Sequence, residues 1–92
     1  MTSRTVTVAN QLGMHARAAA KFVQLAGQFQ SRILVSRQAR DVDGKSIMGL
    51  LLLAAARGTI VIIAADGADE HAAVDALSDL VVSGFGENAC CA

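Results

Sequence analysis

The nineteen residues from Ile47 to Ala65 are apolar enough to suggest a membrane span, and what they become decides the fold class. Arg57 stands near the middle of the run, where inserting a charge into a bilayer costs about 2.5–3.5 kcal/mol. The second half follows Gly58 and opens with Ile60, Val61, Ile62 and Ile63, all β-branched and suited to a strand. The first half, Ile47 to Ala56, is leucine- and alanine-rich and suited to a helix. The run therefore divides into a helix, a break at Arg57-Gly58-Thr59, and a strand from Ile60 to Ala65. No membrane span is expected.

The other elements fall around this pair. Arg4 to Val8 alternates polar and apolar residues as a half-buried strand does, ending near Asn10. A helix runs from Ala16 to Gly27, with Ala19, Phe22, Val23 and Ala26 at helical spacing on its buried side. Ser31 to Ser36 reads as a second strand, Arg37 to Arg40 as a turn, and Asp41 to Asp43 as a short third strand ended by Gly44. Core packing is expected for most of the Leu50 to Leu53 run. After the Asp66-Gly67 turn, Asp69 is expected to cap a last helix that buries Val74, Leu77, Leu80 and Val81 and stops near Gly84. His71 and Asp75, four residues apart on that helix, are expected to form a surface pair.

Strand, helix, strand, strand, helix, strand, helix is an α+β order, simplest as a two-layer sandwich with helices on one face of a mainly antiparallel sheet. Element order alone does not separate a ferredoxin-like plait from other split β-α-β arrangements. Ninety-two residues suit one domain with a small aliphatic core, since the three aromatic residues are all Phe. Zero net charge argues against a general nucleic-acid binder. The charges are nonetheless segregated: all eight basic residues lie at or before Arg57, and six of the eight acids at or after Asp66. The first part can present a positive face and the last helix a negative one. Cys90 and Cys91 are adjacent in a short tail over 88–92, where they neither staple a core nor space a metal site. The N-terminus shows no secretory pattern, so a cytoplasmic location is expected.

Chemistry concentrates in two stretches. In Gln11 to Lys21, a turn glycine at Gly13 precedes Met14, His15 and Arg17, and an alanine-rich helix starts at or just after His15. An imidazole and a guanidinium then stand beside unpaired amides of Ala16, Arg17 and Ala18, at the helix end that favours an anion. A neutral imidazole at His15 carries a nucleophilic lone pair. For a phosphoryl group, positioning and electrostatics are nearly all the catalysis required. Lys21, one turn past Arg17, reads as a solvated charge. The second stretch is Gly44 to Gly49. Ser46 is a good N-cap there, and a phosphate added to it would sit at a helix N-terminus. Ile47 and Met48 open that helix as candidates for an exposed docking patch. No metal-ligand spacing exists, and the GKS of Gly44 to Ser46 lacks the upstream glycine of a nucleotide loop. No cofactor is expected.

Together LGMHARAAAKFV (Leu12 to Val23) and GKSIMGLLLLAA (Gly44 to Ala55) closely resemble the histidine-containing phosphocarrier (HPr) family of the bacterial phosphoenolpyruvate-dependent phosphotransferase system, its nitrogen-branch relatives included. The resemblance runs from Ser3 to Glu87. It implies an open-faced sandwich, a four-stranded antiparallel sheet in the order 1-4-2-3 with three helices on one face. It further implies that His15 takes a phosphoryl group on Nδ1 from phospho-enzyme I, that Arg17 steadies it, and that an EIIA-type acceptor receives it. Ser46 becomes the site of a regulatory HPr kinase/phosphorylase where one exists, and Ile47, Met48 and Leu51 belong to the docking surface. Such a chain is a monomeric carrier rather than an enzyme. A regulatory protein-binding module of the same fold, acting through Ser46 with His15 dispensable, is the alternative. One departure from the family pattern is Ala18, where proline is usual: alanine does not preset φ but adds an N–H that an anion can use.

Overall fold

The computed structural model describes residues 1–10, 13–53 and 56–85. Among them the elements follow the expected order: β1 (Thr2–Thr7), α1 (Ala16–Ala26), β2 (Arg32–Arg37), β3 (Arg40–Asp43), α2 (Ile47–Leu53), β4 (Ile60–Asp66) and α3 (Glu70–Val82). The strands form one sheet in the order β1-β4-β2-β3, and every neighbouring pair is antiparallel. Helix α3 packs on β1 and β4, α2 packs on β3 and β2, and α1 lies against both other helices. This is the open-faced sandwich that the resemblance implied. Among the described residues no helix is long and apolar enough to cross a membrane.

Register explains which half of each strand is buried. Paired residues share a face, so Val6↔Val61, Val35↔Ile63 and Ile33↔Ala65 all point under the helices. Those six side chains are buried, together with Phe22, Leu50, Leu53, Leu77 and Phe85. The alternate residues of β4, Ile60 and Ile62, lie on the open face and stay 60% and 42% exposed. A run of four β-branched residues therefore splits evenly between core and surface.

Helix faces differ from expectation in detail. Along α1 the buried positions are Ala18, Ala19, Phe22 and Ala26, with Val23 only partly covered. In α2 only Leu50 and Leu53 are buried, while Leu51 and Leu52 are 40% and 65% exposed. The expectation of a mostly buried leucine run is corrected here, because one helical turn cannot turn four successive residues inward. The described helix runs as far as Leu53, and Ala56, the expected end, is not helical. From the β2–β3 hairpin, Arg37 Nη1 donates to the Leu53 carbonyl and Arg40 Nη1 to the Leu52 carbonyl, both at 3.0 Å, closing the helix end. Ala54, Ala55 and the tail with Cys90 and Cys91 lie outside the described residues.

The termini of α3 are tied differently from a simple cap. Asp69 occupies the N-cap position but makes no capping hydrogen bond with its side chain. Its carboxylate instead accepts from the amides of Gln30 and Ser31, each at 2.9 Å, and from the Ser31 hydroxyl, fastening α3 to the start of β2. At the other end Gly84 (φ 77°) supplies the left-handed turn, and the Gly84 and Phe85 amides donate back to Val81 and Leu80. Asp75 does not pair with His71; it accepts from Arg4 Nη2 of β1 at 2.5 Å. His71 Nδ1 lies 3.3 Å from the Thr2 hydroxyl instead. Much of the acidic charge of the C-terminal third is thus spent on local ties rather than on a uniform negative face.

These ties predict acid sensitivity. Ser31's hydroxyl, followed by the Gln30 amide, holds the Asp69 carboxyl below its ordinary value. For Glu70 the Thr2 hydroxyl and then the Gly67 amide do the same. A carboxyl with a depressed folded-state pKa contributes stability above its unfolded pKa and loses it as pH falls through the folded value. The urea midpoint should therefore fall as pH drops below about 4, the ordinary carboxylate range. Asp69→Asn should flatten that acid limb, measured as midpoint against pH. A second stability effect concerns Ser78, whose buried hydroxyl has no hydrogen-bond partner among the described residues. Removing a buried orphan in a helix is favourable, so Ser78→Ala should raise stability by about 1 kcal/mol in urea titration.

Candidate functional site

The site is built at the junction of β1 and α1. Asn10, buried, donates from Nδ2 to the Gly13 carbonyl at 2.8 Å, while the Gly13 amide donates to the Asn10 carbonyl at 3.2 Å. Gly13 has φ 66°, a conformation that costs most residues energy and glycine little. Met14 then turns inward and is buried, which anchors the loop and leaves the next residue at the surface. His15 is that residue and serves as the N-cap of α1, with extended backbone (φ −82°, ψ −179°). Its carbonyl accepts from Ala19, the first intrahelical bond.

The imidazole lies back over the helix end. Its Nδ1 accepts from the Arg17 amide at 3.3 Å, so a lone pair on Nδ1 points into the first turn. The amides of Ala16, Arg17 and Ala18 belong to the set that has no intrahelical carbonyl to meet. Ala18 has its side chain fully buried, whereas Ala16 and Arg17 are exposed. The Arg17 guanidinium has no hydrogen-bond or ion-pair partner among the described residues, which leaves its donor fork open to a ligand. An oxyanion bonded at Nδ1 would replace the weak amide contact and meet the helix N-terminus directly. Lys21 departs from expectation: Nζ donates to the Phe85 carbonyl at 2.9 Å, so it ties α1 to the end of α3 rather than standing solvated.

The second stretch keeps to its expected geometry. Ser46 Oγ accepts from the Gly49 amide at 3.1 Å and caps α2. Around it Ile47, Met48 and Leu51 are exposed, Met48 by 71%. Leu52 joins this apolar surface and was not foreseen, although its position four residues after Met48 puts both on one face of the helix. Helix α2 packs against α1, which carries His15 at its start. Asn10 also escaped notice, and its signal was available: Asn three places before Gly is a common turn pair. Among the described residues no cluster of ligating side chains could hold a metal ion.

Comparison with known proteins gives this geometry its relatives. The family model described as the PTS HPr component phosphorylation site matches residues 2–83. The phosphocarrier protein HPr of Cupriavidus necator is 52% identical over 87 residues, covering 95% of this chain and 98% of that protein. A crystal structure of HPr from Thermoanaerobacter tengcongensis superposes with TM-score 0.92 at 44% identity, covering 96% of this chain and 99% of that one. A second structure, an HPr dimer from the same organism, gives 0.75 at 45% identity, covering 95% of this chain and 100% of that one. An N-capping histidine over an open helix end, carried on this sheet order and matched along nearly the whole sequence, places the chain in the HPr family of the phosphotransferase system.

Proposed function

We propose that this chain is a cytoplasmic, monomeric phosphocarrier that takes a phosphoryl group on His15 Nδ1 from phospho-enzyme I and gives it to an EIIA-type acceptor. The observation that carries the reading is the Nδ1 lone pair aimed into the first turn of α1, beside the open guanidinium of Arg17. In the transfer, Nδ1 attacks phosphorus as the donor's bond to phosphorus breaks, and the same exchange runs in reverse toward the acceptor. Backbone amides of Ala16, Arg17 and Ala18 together with the Arg17 side chain offset the charge on the phosphoryl oxygens. No cofactor is needed for either step. The direct test is to incubate the protein with phosphoenolpyruvate and purified enzyme I and measure acid-labile phosphate. Stoichiometric labelling is expected, and an unlabelled chain would overturn the reading.

Ile47, Met48, Leu51 and Leu52 form the surface that meets enzyme I and the acceptor. Ser46 lies at the edge of this surface, where an HPr kinase/phosphorylase would place about −1.5 to −2 charges. That charge opposes the docking of acidic partners. Ser46→Asp is therefore expected to slow labelling by enzyme I about tenfold while leaving the fold intact, since Asp also caps helices. Unchanged labelling kinetics would remove the docking argument. A regulatory module of the same fold would make His15 dispensable, which the labelling assay also decides.

A further inference from the structure

The far end of α2 carries a feature that the carrier reading does not use. Arg37 and Arg40 are direct cross-strand partners at the end of the β2–β3 hairpin, joined by Gln38 and Ala39. Like charges placed opposite each other destabilise a strand pair. The fold nevertheless holds them together, each donating one Nη1 hydrogen to a terminal carbonyl of α2. The nearest acids along the hairpin, Asp41 and Asp43, pair in register with Ser36 and Leu34 and so stand on the opposite face. Arg40 has no carboxylate partner among the described residues. Beside the two arginines lies a cavity of about 350 Å³, lined by Arg37, Gln38, Ala39, Arg40 and Leu53. The hairpin is itself strained at this point, because Gln38 has φ 56°, where glycine is usual.

We infer that this cavity is a second anion site, built for a small phosphomonoester dianion. Two guanidinium charges match a dianion, and their planar forks suit tetrahedral oxygens. Helix α2 opposes an anion here with the negative end of its dipole, equivalent to roughly half a charge. Two guanidinium charges stand against that half-charge. Leu53 gives the cavity an aliphatic wall against which the organic part of an ester can rest, and the volume is at the small end of the range for small-molecule sites. The site is separate from His15 and stands whether or not His15 carries phosphate.

Backbone amide NMR of the full chain, titrated with phenyl phosphate against matched chloride and acetate, tests the inference. Saturable shifts are expected at Arg37 to Arg40 and Leu53, specific to the phosphomonoester, with affinity falling about tenfold in Arg40→Gln. Arg40→Lys keeps the charge but loses the fork, and it should also weaken binding. The inference fails if shifts are confined to the amides around His15, if chloride or acetate reproduces them, or if Arg40→Lys binds as well as the wild type. Circular dichroism of each variant confirms that lost binding is not lost fold.

Discussion

His15→Ala is expected to abolish acid-labile phosphate labelling from phosphoenolpyruvate and enzyme I, to the level of a reaction without the protein. The substitution removes the Nδ1 that the proposed transfer uses, and geometry leaves no substitute nearby. The other histidine, His71, lies on α3 beside Thr2, away from the α1 N-terminus. His71→Ala should accordingly label like the wild type. What His15→Ala costs in stability is bounded by its structural role. The side chain is only half-buried, and its Nδ1 accepts the 3.3 Å capping bond from the Arg17 amide. Loss of an N-cap typically costs about 0.5–2 kcal/mol, a burden the fold can carry. A folded His15→Ala protein that still labels would refute the carrier reading, and urea titration of the same sample shows that it is folded.

Gly44→Ala should be strongly destabilising, lowering stability by about 1–3 kcal/mol and Tm by roughly 5–20 °C. A Cβ built on Gly44 would lie 2.4 Å from Cγ2 of Ile33, well inside contact distance. Ile33 cannot give way, because it is fully buried and branched at Cβ. The backbone cannot retreat either, since the Gly44 amide donates to the Ile33 carbonyl at 2.9 Å. Gly49→Ala provides the contrast: its added methyl meets nothing closer than 3.4 Å, and alanine is the better helix former. It should be neutral or slightly stabilising. Thermal unfolding of the two variants side by side checks the argument, and equal Tm values would mean that Ile33 repacks freely. Because Gly44 leads directly into Ser46, the damaged variant should also show weakened capping of α2.

Where the chain's order of elements came from is plain in its residues. The β-branched run after Gly58 could not continue the Leu-rich helix before it, and Gly13 ahead of an alanine-rich run left His15 at a helix start. Local propensity acts over a few residues, so it was sufficient to place α1, β4 and the candidate nucleophile. The same locality explains what went astray. Asp69 had the right residue type and position for a cap, but Gln30 and Ser31, nearly forty positions earlier, offered three better donors. Asp75 likewise accepts from Arg4 on the neighbouring strand β1 rather than pairing with His71 on its own helix.

By itself the sequence determined the element order, the two motifs and the imidazole at a helix N-terminus, because each rests on backbone preferences of neighbouring residues. Only the tertiary structure decided that Gly44 is fixed by the Ile33 side chain and that Leu52 faces outward. It also decided that Lys21 closes onto Phe85, and that two like-charged arginines share one cavity. Those outcomes depend on which strand meets which, and a donor or a methyl group responds to distance in space rather than separation along the chain.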